Sequence, residues 1–190
     1  MLKNIRGAIF DLDGVLVDTA RYHYIAWKEL ADSLGFTFTE SHNERLKGVS
    51  RMRSLEILLE VGGVTADDAT KEAWAAEKNA RYIALLDTLT EADLLPGAKE
   101  LLQYFRLCGV KTALGSASRN AMFILEKLGI ADLFDAIIDG TVVSRAKPDP
   151  EVFLKGVEAL GVPAEQCVVF EDVLAGVEAA HAAGCRAIAV

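Results

Sequence analysis

The sequence predicts an α/β fold with a Rossmann-like parallel sheet and an all-helical segment inserted after the first strand. Short apolar runs rich in β-branched residues alternate with helical patterns through the second half of the chain, which is typical of βαβ units. Glycines stand where these helices should end. A long stretch without a strand pattern separates the first strand from the others.

The first predicted strand covers 7–10, and its unbroken apolar character is typical of a central parallel strand buried on both faces. Asp18 or Thr19 could cap the helix that follows, and Gly35 would end it. This part of the chain is therefore expected to run directly from a buried strand into a helix.

Residues 39–95 carry helical periodicity and no convincing strand. The clearest helices in this insert are predicted at 51–61 and 67–89. Thr65 and Asp68 resemble a capping box at the start of the second helix. We therefore predict an all-helical module between the first and second strands.

Helices and strands alternate after the insert. The predicted helices are 98–108, 120–128, 150–160 and 175–183. The predicted strands are 110–114, 136–138, 167–170 and 186–190. We predict an α/β core domain formed by 1–16 and 94–190, with a helical cap domain formed by 17–93.

The bulk composition is typical of a soluble globular protein. Of its 190 residues, 52% are hydrophobic and 25% charged, and the net charge of −8 argues against a nucleic-acid or anionic-membrane partner. We find no bilayer-spanning segment and no signal-peptide core. Cys108, Cys167 and Cys185 form no C-x-x-C pair, so we expect buried free thiols in a reducing cytoplasm. We expect a monomer.

Four short polar segments, far apart in the chain, carry the chemistry. They are Asp11-Leu12-Asp13-Gly14, Ser116-Ala117-Ser118, Lys147-Pro148 and Glu171-Asp172. All but the lysine segment directly follow a predicted strand, and ligands of open α/β sheets bind beyond the carboxyl ends of the strands. We therefore expect one site that combines acids, hydroxyls and a lysine.

The acidic segments indicate a metal. Asp11 and Asp13 point the same way in extended chain, and two like charges so close repel unless a cation lies between them. Mg²⁺ prefers such carboxylate oxygens, and Glu171 with Asp172 would complete the site. The alternatives are a turn after a strand for the first segment and helix N-capping for the second.

The hydroxyl and lysine segments indicate a phosphate. Ser116 and neighbouring backbone N–H groups at a helix start would form an anion site, although serine also caps helices without a ligand. Lys147 could hold a transferring phosphate beside the acids, although an isolated lysine is usually a solvated charge.

The insert contains further candidates with simpler alternatives. His23 and Trp27 lie four apart on one helix face, which equally suits a packing stripe. A donor-rich helix start comprises Gly48, Val49, Ser50, Arg51 and Ser54. Arg51 could bind a distal phosphate in bidentate fashion, whereas Lys78 lies in a charged helical stretch and means little by itself.

At this point the residues resemble a known family. Phe10-Asp11-Leu12-Asp13-Gly14-Val15 resembles the first motif of the haloacid dehalogenase superfamily of phosphotransferases. Ser116, Lys147 and Glu171-Asp172 match its second, third and fourth motifs in order. The segments similar to sugar-phosphate mutases of that superfamily are 18–27, 46–51, 77–79 and 116–120. The superfamily continues beyond Val190, so this end could be a truncation.

The resemblance implies roles for these residues. Asp11 would be the nucleophile that becomes an aspartyl phosphate, and Asp13 the general acid/base. The metal ligands implied for Mg²⁺ are Asp11, Asp13 through its main-chain carbonyl, Glu171 and Asp172. The implied substrate-binding residues are Thr19, His23, Trp27, Gly48, Val49, Ser50, Arg51, Ser54, Lys78, Ser116, Ala117, Ser118, Arg119, Asn120 and Lys147. Arg119 stands where a relative in this superfamily carries a lysine. The positive charge is kept, but the geometry of a guanidinium differs from that of an ammonium.

Three functional hypotheses follow. The first is an isomerase that moves a phosphoryl group within a phosphosugar, with a helical lid that excludes water. The second is a sugar-phosphate phosphatase on the same core, which would use the same acids and Mg²⁺. The third is a phosphosugar-binding or inactive fragment, for which mutation of Asp11 would change no turnover.

Overall fold

The computed structural model describes residues 4–46 and 49–190. Its strands are β1 Gly7–Phe10, β2 Lys111–Gly115, β3 Ala136–Ile138, β4 Cys167–Glu171 and β5 Arg186–Ala189. They form one five-stranded sheet in the order β3-β2-β1-β4-β5, and every neighbouring pair is parallel. The predicted α/β fold with a parallel sheet is confirmed.

The helices follow the predicted order. They are α1 Ala20–Ser33, α2 Glu40–Glu44, α3 Arg51–Gly62, α4 Asp68–Leu86, α5 Ala98–Leu107, α6 Ala121–Lys127, α7 Glu151–Leu160 and α8 Leu174–Ala182. Short 3₁₀ turns occur at Glu91–Asp93, Ala131–Leu133 and Ala164–Gln166. Helices α1–α4 fall between β1 and β2 in the chain, so the described part of the insert is helical.

The central strand β1 is buried along its whole length because it packs on both faces. Ile9 joins an apolar cluster that includes Phe153 of α7 and Val169 of β4. Phe10 points to the opposite face, where its ring stacks on Phe170 at 4.7 Å and meets Phe105 of α5 edge-on at 6.1 Å. Neighbouring residues of a strand face opposite ways, so one apolar tetrapeptide supplies both layers of core.

The chain divides into two compact units. The first unit is Thr19–Thr88 and is called the helical unit. The second unit comprises the described residues up to Asp18 together with Leu89–Val190 and is called the α/β unit. The helical unit has its own apolar core, built around Leu30, Phe38 and Leu58. The assignment of 17–93 as a cap domain on a catalytic core stays a prediction.

Two details differ from the sequence-based expectations. The capping box at Thr65 and Asp68 is wrong, because the Asp67 carboxylate caps α4 by accepting a hydrogen bond from the Thr70 N–H at 2.7 Å. Asp67 directly precedes the first residue of α4, whereas Thr65 lies two residues before Asp67 and is not the N-cap. Cys108 is exposed rather than buried, since it lies at the solvent end of α5.

Among the described residues, no helix is long and apolar enough to cross a membrane.

Candidate active site

The carboxyl end of β1 lies at the topological switch point of the sheet, where the order of the strands reverses. From β1 the chain proceeds to β2 and β3 on one side, and later to β4 and β5 on the other. Such a switch point leaves a crevice at the strand ends, where α/β proteins bind ligands. Asp11 follows β1 at this point, and its N–H donates to the Phe170 carbonyl of β4 at 3.0 Å.

Lys147 bridges two carboxylates at this switch point. Its Nζ donates to Oδ1 of Asp11 at 2.6 Å and also to Oε1 of Glu171. Glu171 is the last residue of β4. All three side chains are buried, with exposures of 4% for Lys147, 12% for Asp11 and none for Glu171. The predicted convergence of the first, third and fourth segments is thus visible as direct contacts.

The electrostatics of this group favour an additional cation. Burial lowers the pKa of Lys147, but the charges of Asp11 and Glu171 outweigh this effect, so the pKa lies above its ordinary value and the ammonium stays protonated. Burial and the charge of Asp11 raise the pKa of Glu171 despite the lysine. One ammonium therefore does not fully compensate the negative charge gathered around it.

Glu171 is also fixed by its backbone neighbours. Its Oε2 accepts hydrogen bonds from the N–H groups of Asp172 at 3.1 Å and Val173 at 3.3 Å. Gly176 of α8 packs directly against this carboxylate, and a Cβ at that position would overlap its atoms. Val173 is the N-cap of α8, and its own side chain makes no hydrogen bond to the helix.

Asp11, Glu171 and Asp172 have the donor set expected of a divalent metal site. Each offers one carboxylate oxygen, and these three oxygens lie within 4.8 Å of one another. Gly14 has a φ of +79° and leaves room for the Asp172 side chain, which a Cβ there would strike. Hard oxygen donors gathered around excess negative charge suit a divalent cation.

Asp13 lies in the tight turn that follows β1. The turn is closed by the Gly14 N–H, which donates to the Val17 carbonyl at 2.9 Å, and by the Leu16 N–H, which donates to the Leu12 carbonyl at 2.9 Å. Asp13 itself is half-buried. Its position is therefore compatible with a purely structural turn and with a catalytic residue, and its role stays a prediction.

The hydroxyl segment forms an ordered loop at the same edge of the sheet. Ser116 is buried, its Oγ accepts a hydrogen bond from the Ser118 N–H at 3.1 Å, and Ser118 Oγ accepts one from the Asn120 N–H at 3.3 Å. The Gly140 N–H donates to the Ser118 carbonyl at 3.1 Å. Ala117 and the side chain of Arg119 pack closely on Gly140, where a Cβ would not fit.

The helical unit holds a second group of predicted residues, here called the aromatic cluster: His23, Trp27, Lys78 and Tyr82. Lys78 is 3% exposed, and its Nζ lies 4.4 Å from the ring centre of Trp27 and 4.7 Å from that of Tyr82. The same ammonium lies 2.8 Å from Nδ1 of His23, whose ring stacks on Tyr82 at 4.0 Å. Lys78 is thus a buried cation and not a solvated charge, because α1 packs against α4.

Burial and the positive charges of Lys78 and Arg51 lower the pKa of His23 well below its ordinary value. The ring is therefore neutral near pH 7 and accepts from the ammonium. Thr19, the N-cap of α1, makes no side-chain bond to the helix; its Oγ1 instead accepts from the Tyr82 hydroxyl at 3.1 Å.

Tyr82 was missed by the sequence reasoning. Its position four residues after Lys78 on a predicted helix was an available signal, since such residues share a face.

The other predicted residues of the helical unit have visible local roles. Ser50 caps α3 by accepting from the Arg53 N–H at 3.3 Å. Ser54 is buried, and Val49 packs on the core of the helical unit. Gly48 lies outside the described residues.

Comparison with known proteins places the chain in a family. The profile of the haloacid dehalogenase-like hydrolases matches residues 5–184. The chain belongs to this family. The family implies a divalent metal, in agreement with the acidic cluster at the switch point.

Individual relatives narrow the comparison. The chain is 43% identical to a β-phosphoglucomutase of Bacillus subtilis over 98% of its own length and 83% of the relative's. It is 35% identical to a phosphorylated carbohydrates phosphatase of Thermotoga maritima over 97% of its own length and 84% of the relative's. A crystal structure of β-phosphoglucomutase from Clostridium difficile superposes with a TM-score of 0.93 and 42% identity, covering 97% of this chain and 84% of that one.

Proposed function

We propose that this member of the haloacid dehalogenase-like hydrolases is a β-phosphoglucomutase. It interconverts β-D-glucose 1-phosphate and glucose 6-phosphate through β-glucose 1,6-bisphosphate and an aspartyl-phosphate intermediate on Asp11. The observation that carries the proposal is the buried contact of Asp11 with Lys147 at the switch point. The identity of 43% to the Bacillus subtilis β-phosphoglucomutase supports this substrate over others.

The Asp11 contact suits nucleophilic catalysis. In the proposed reaction, a carboxylate oxygen of Asp11 attacks one phosphorus of bound β-glucose 1,6-bisphosphate, and the bond from that phosphorus to the sugar oxygen breaks, which leaves glucose 6-phosphate. Lys147 and Ser116 hold the oxygens of the transferring group, so a carboxylate can approach an anion. The reverse step transfers the phosphoryl group from Asp11 to the 6-hydroxyl of a bound β-glucose 1-phosphate, which forms the bisphosphate again.

Asp13 is proposed as the general acid/base. It would give a proton to the sugar oxygen that leaves phosphorus and take a proton from the hydroxyl that attacks the aspartyl phosphate. Its place two residues after Asp11, in a turn closed by backbone hydrogen bonds, holds it near the nucleophile. This division of roles makes one carboxylate attack while the other moves the proton.

The proposed metal is Mg²⁺, held by Asp11, Glu171, Asp172 and the main-chain carbonyl of Asp13. When bound, it neutralises charge on the transferring phosphoryl group. The substrate-binding role proposed for the aromatic cluster, Thr19 and Arg51 rests on the buried Lys78 ammonium, the buried Thr19 hydroxyl and the charge of Arg51. Residues that bind the second phosphate group, the one that is not being transferred, favour a mutase over a hydrolase.

The proposal includes a cytoplasmic monomer that acts on a small phosphosugar, without nucleic-acid or membrane partners. A reducing compartment suits the free thiols of Cys167 and Cys185.

A coupled assay tests the proposal. Purified protein with Mg²⁺ and a trace of the bisphosphate is given β-glucose 1-phosphate, and glucose 6-phosphate and free phosphate are measured in parallel. We expect glucose 6-phosphate to dominate. Release of free phosphate as the main product would instead assign a sugar-phosphate phosphatase, the activity named for the Thermotoga maritima relative.

Asp11→Asn tests the intermediate. We expect a loss of at least about a thousandfold in turnover, because the amide cannot attack phosphorus. Asp132→Asn, at an acid of the α/β unit outside the acidic cluster, is the matched control and should stay near the parent activity. A turnover by Asp11→Asn equal to the parent's would exclude an aspartyl phosphate at this position.

A further inference from the structure

The loop that carries Lys147 has no regular secondary structure of its own. It joins β3 to α7, and it must hold the Lys147 ammonium between Asp11 and Glu171. Ordering a long side chain costs rotamer entropy, and ordering an irregular backbone costs further conformational entropy. Some feature outside the two carboxylates must therefore hold this backbone in place.

Glu151 binds the backbone directly before Lys147. Its Oε2 accepts three hydrogen bonds: from the Ser144 N–H at 3.0 Å, the Ser144 hydroxyl at 2.9 Å and the Arg145 N–H at 2.8 Å. Hydrogen bonds to an ionised acceptor are stronger than those between neutral groups. One carboxylate oxygen thus fixes two consecutive residues of the loop.

Glu151 is itself held on a rigid element. It is the first residue of α7, and its Oε1 meets the Lys155 ammonium one turn later at 2.8 Å. The hydrogen bond from Lys155 and those from Ser144 and Arg145 lower the pKa of Glu151 to about 2 despite some desolvation. The carboxylate is therefore ionised throughout the pH range in which the protein would work.

The far side of the lysine is tied to the same helix start. The Asp149 N–H donates to the Ala146 carbonyl at 3.0 Å, and Asp149 Oδ1 accepts from the Glu151 N–H at 3.0 Å. Arg145 Nη1 reaches Asp149 Oδ2 at 2.9 Å. The backbone is thus bonded on both sides of Lys147, with Glu151 taking part on each side.

We infer that Glu151 is a positioning residue for Lys147: its carboxylate holds the 144–147 backbone so that the ammonium meets Asp11 and Glu171. A first-turn glutamate is commonly a solvated charge that suits the helix dipole, and the sequence alone permits no more than that. The three donors on one oxygen are what assign it a further role. The inference deepens the proposed function, because it concerns the lysine that would hold the transferring phosphate.

Lysine acylation measures how accessible the Lys147 amine is, and this measurement does not depend on turnover. The protein is treated with a limiting amine-acylating reagent near pH 8, and the modification of Lys147 is quantified by peptide mass spectrometry against the surface residue Lys28. In the parent, Lys147 should react slowly because it is buried and doubly ion-paired. In Glu151→Met, local opening of the loop should raise this relative rate at least about fivefold.

Two variants separate the hydrogen bonds from other effects. Glu151→Gln keeps an oxygen that can accept from the loop, and it should stay within about threefold of the parent rate, since weakened bonds still order the backbone. Glu158→Gln removes an exposed acid from the same helix and should leave the rate unchanged. A Glu151→Gln rate equal to that of Glu151→Met would overturn the inference, as would a parent-like rate in Glu151→Met.

Kinetics of the mutase reaction supply the second measurement. In Glu151→Met we expect kcat to fall about 10- to 100-fold with KM changed less than about twofold, because a misplaced lysine fails mainly in the transition state. Partial rescue of kcat by Glu151→Gln is expected. A merely structural role would instead lower the melting temperature and leave kcat of the folded fraction intact, and this result would contradict the inference.

The acylation measurement separates a failure of this inference from a failure of the proposed function. If the protein shows no mutase activity but Glu151→Met still exposes Lys147, the positioning role stands and the substrate assignment falls. If Glu151→Met does not fold, Ser144→Ala removes the hydroxyl donor alone, and an increase of about twofold in Lys147 acylation is then expected. A parent-like acylation rate in Ser144→Ala would in that case count against the inference.

Discussion

Two buried lysines, one in each compact unit, are held by different chemistry. Lys147 in the α/β unit contacts two carboxylates, whereas Lys78 in the helical unit contacts two aromatic faces and a neutral imidazole. An ion pair in a buried site is strong when complete and costly when one partner is lost. Contacts with aromatic rings are weaker, but no charge is left behind when the cation is removed.

The difference predicts how each unit responds to mutation. Loss of Lys147 leaves buried acids facing one another, so stability and chemistry should fail together. Loss of Lys78 removes contacts with two aromatic rings and one hydrogen bond to the neutral imidazole of His23, so substrate binding should fail while most of the stability is kept. The following predictions test this contrast, beginning with the largest effect on stability.

Lys147→Met is expected to lower the free energy of unfolding by about 3–5 kcal/mol, because Asp11 and Glu171 become uncompensated buried charges. Chemical denaturation measures this change. Added Mg²⁺ should restore more stability in this variant than in the parent, since the cation can replace the missing positive charge. Lys28→Met, which breaks an exposed ion pair, is the control and should change stability by less than about 1 kcal/mol. A loss no larger than that control would contradict the charge-pairing account.

Gly176→Ala asks whether Glu171 is also held by close packing. The added Cβ overlaps the Glu171 carboxylate, so we expect a loss of about 1–3 kcal/mol from overpacking together with reduced turnover. Thermal unfolding and the coupled assay provide the two measurements. Glu178→Ala, at an exposed position of the same helix, should match the parent in both. Unchanged turnover in Gly176→Ala would mean that Glu171 tolerates displacement.

The lowered pKa of His23 predicts a pH dependence that belongs to the helical unit. The unfolded chain binds a proton at His23 near pH 6.5, whereas the folded protein resists it, so stability should fall as pH decreases from about 6.5 to 5.5. The contribution of one such group is at most about 1.4 kcal/mol per pH unit. His23→Gln should flatten this slope, and the exposed residue His181 provides the control variant His181→Gln. An identical slope in His23→Gln would show that the folded protein does not hold the ring in its neutral form.

Lys78→Met is expected to lower the free energy of unfolding by about 1–2 kcal/mol, less than Lys147→Met, because the new side chain can lie on the same aromatic faces but removes the donor to Nδ1 of His23. The same variant should lower kcat/KM for the phosphosugar about 10- to 100-fold, as expected for a lost charge-assisted hydrogen bond. Stability and kinetics measured on one preparation separate the two effects. A destabilisation as large as that of Lys147→Met would remove the distinction between the two lysines.

The fold was predictable because its signals are local. Runs such as 7–10 and 167–170 are apolar over a whole strand length, and the alternation of helix and strand limits the topology to a parallel sheet. The acids at the ends of these strands follow from the same pattern. Lys147 required more, since it follows no strand and lies 136 positions from the Asp11 it contacts.

The candidate site was only partly predictable. Glu151 and Gly176 gave no signal, because a first-turn acid and a helical glycine are ordinary features whose partners depend on the third dimension. Tyr82 had a weak signal through its spacing from Lys78. The capping prediction at Thr65 failed for a local reason, since Asp67 competes for the same helix start and has the stronger acceptor.

The amino-acid sequence alone determined the order of the elements, the helical nature of the insert and the types of chemical group at the strand ends. These properties depend on hydrophobic periodicity and turn residues, which act over a few positions. The tertiary structure alone decided that Lys147 joins Asp11 to Glu171, that Lys78 lies on aromatic rings and that Glu151 fixes the lysine loop. Such contacts depend on how helices and strands pack across the chain, and no local pattern specifies those distances.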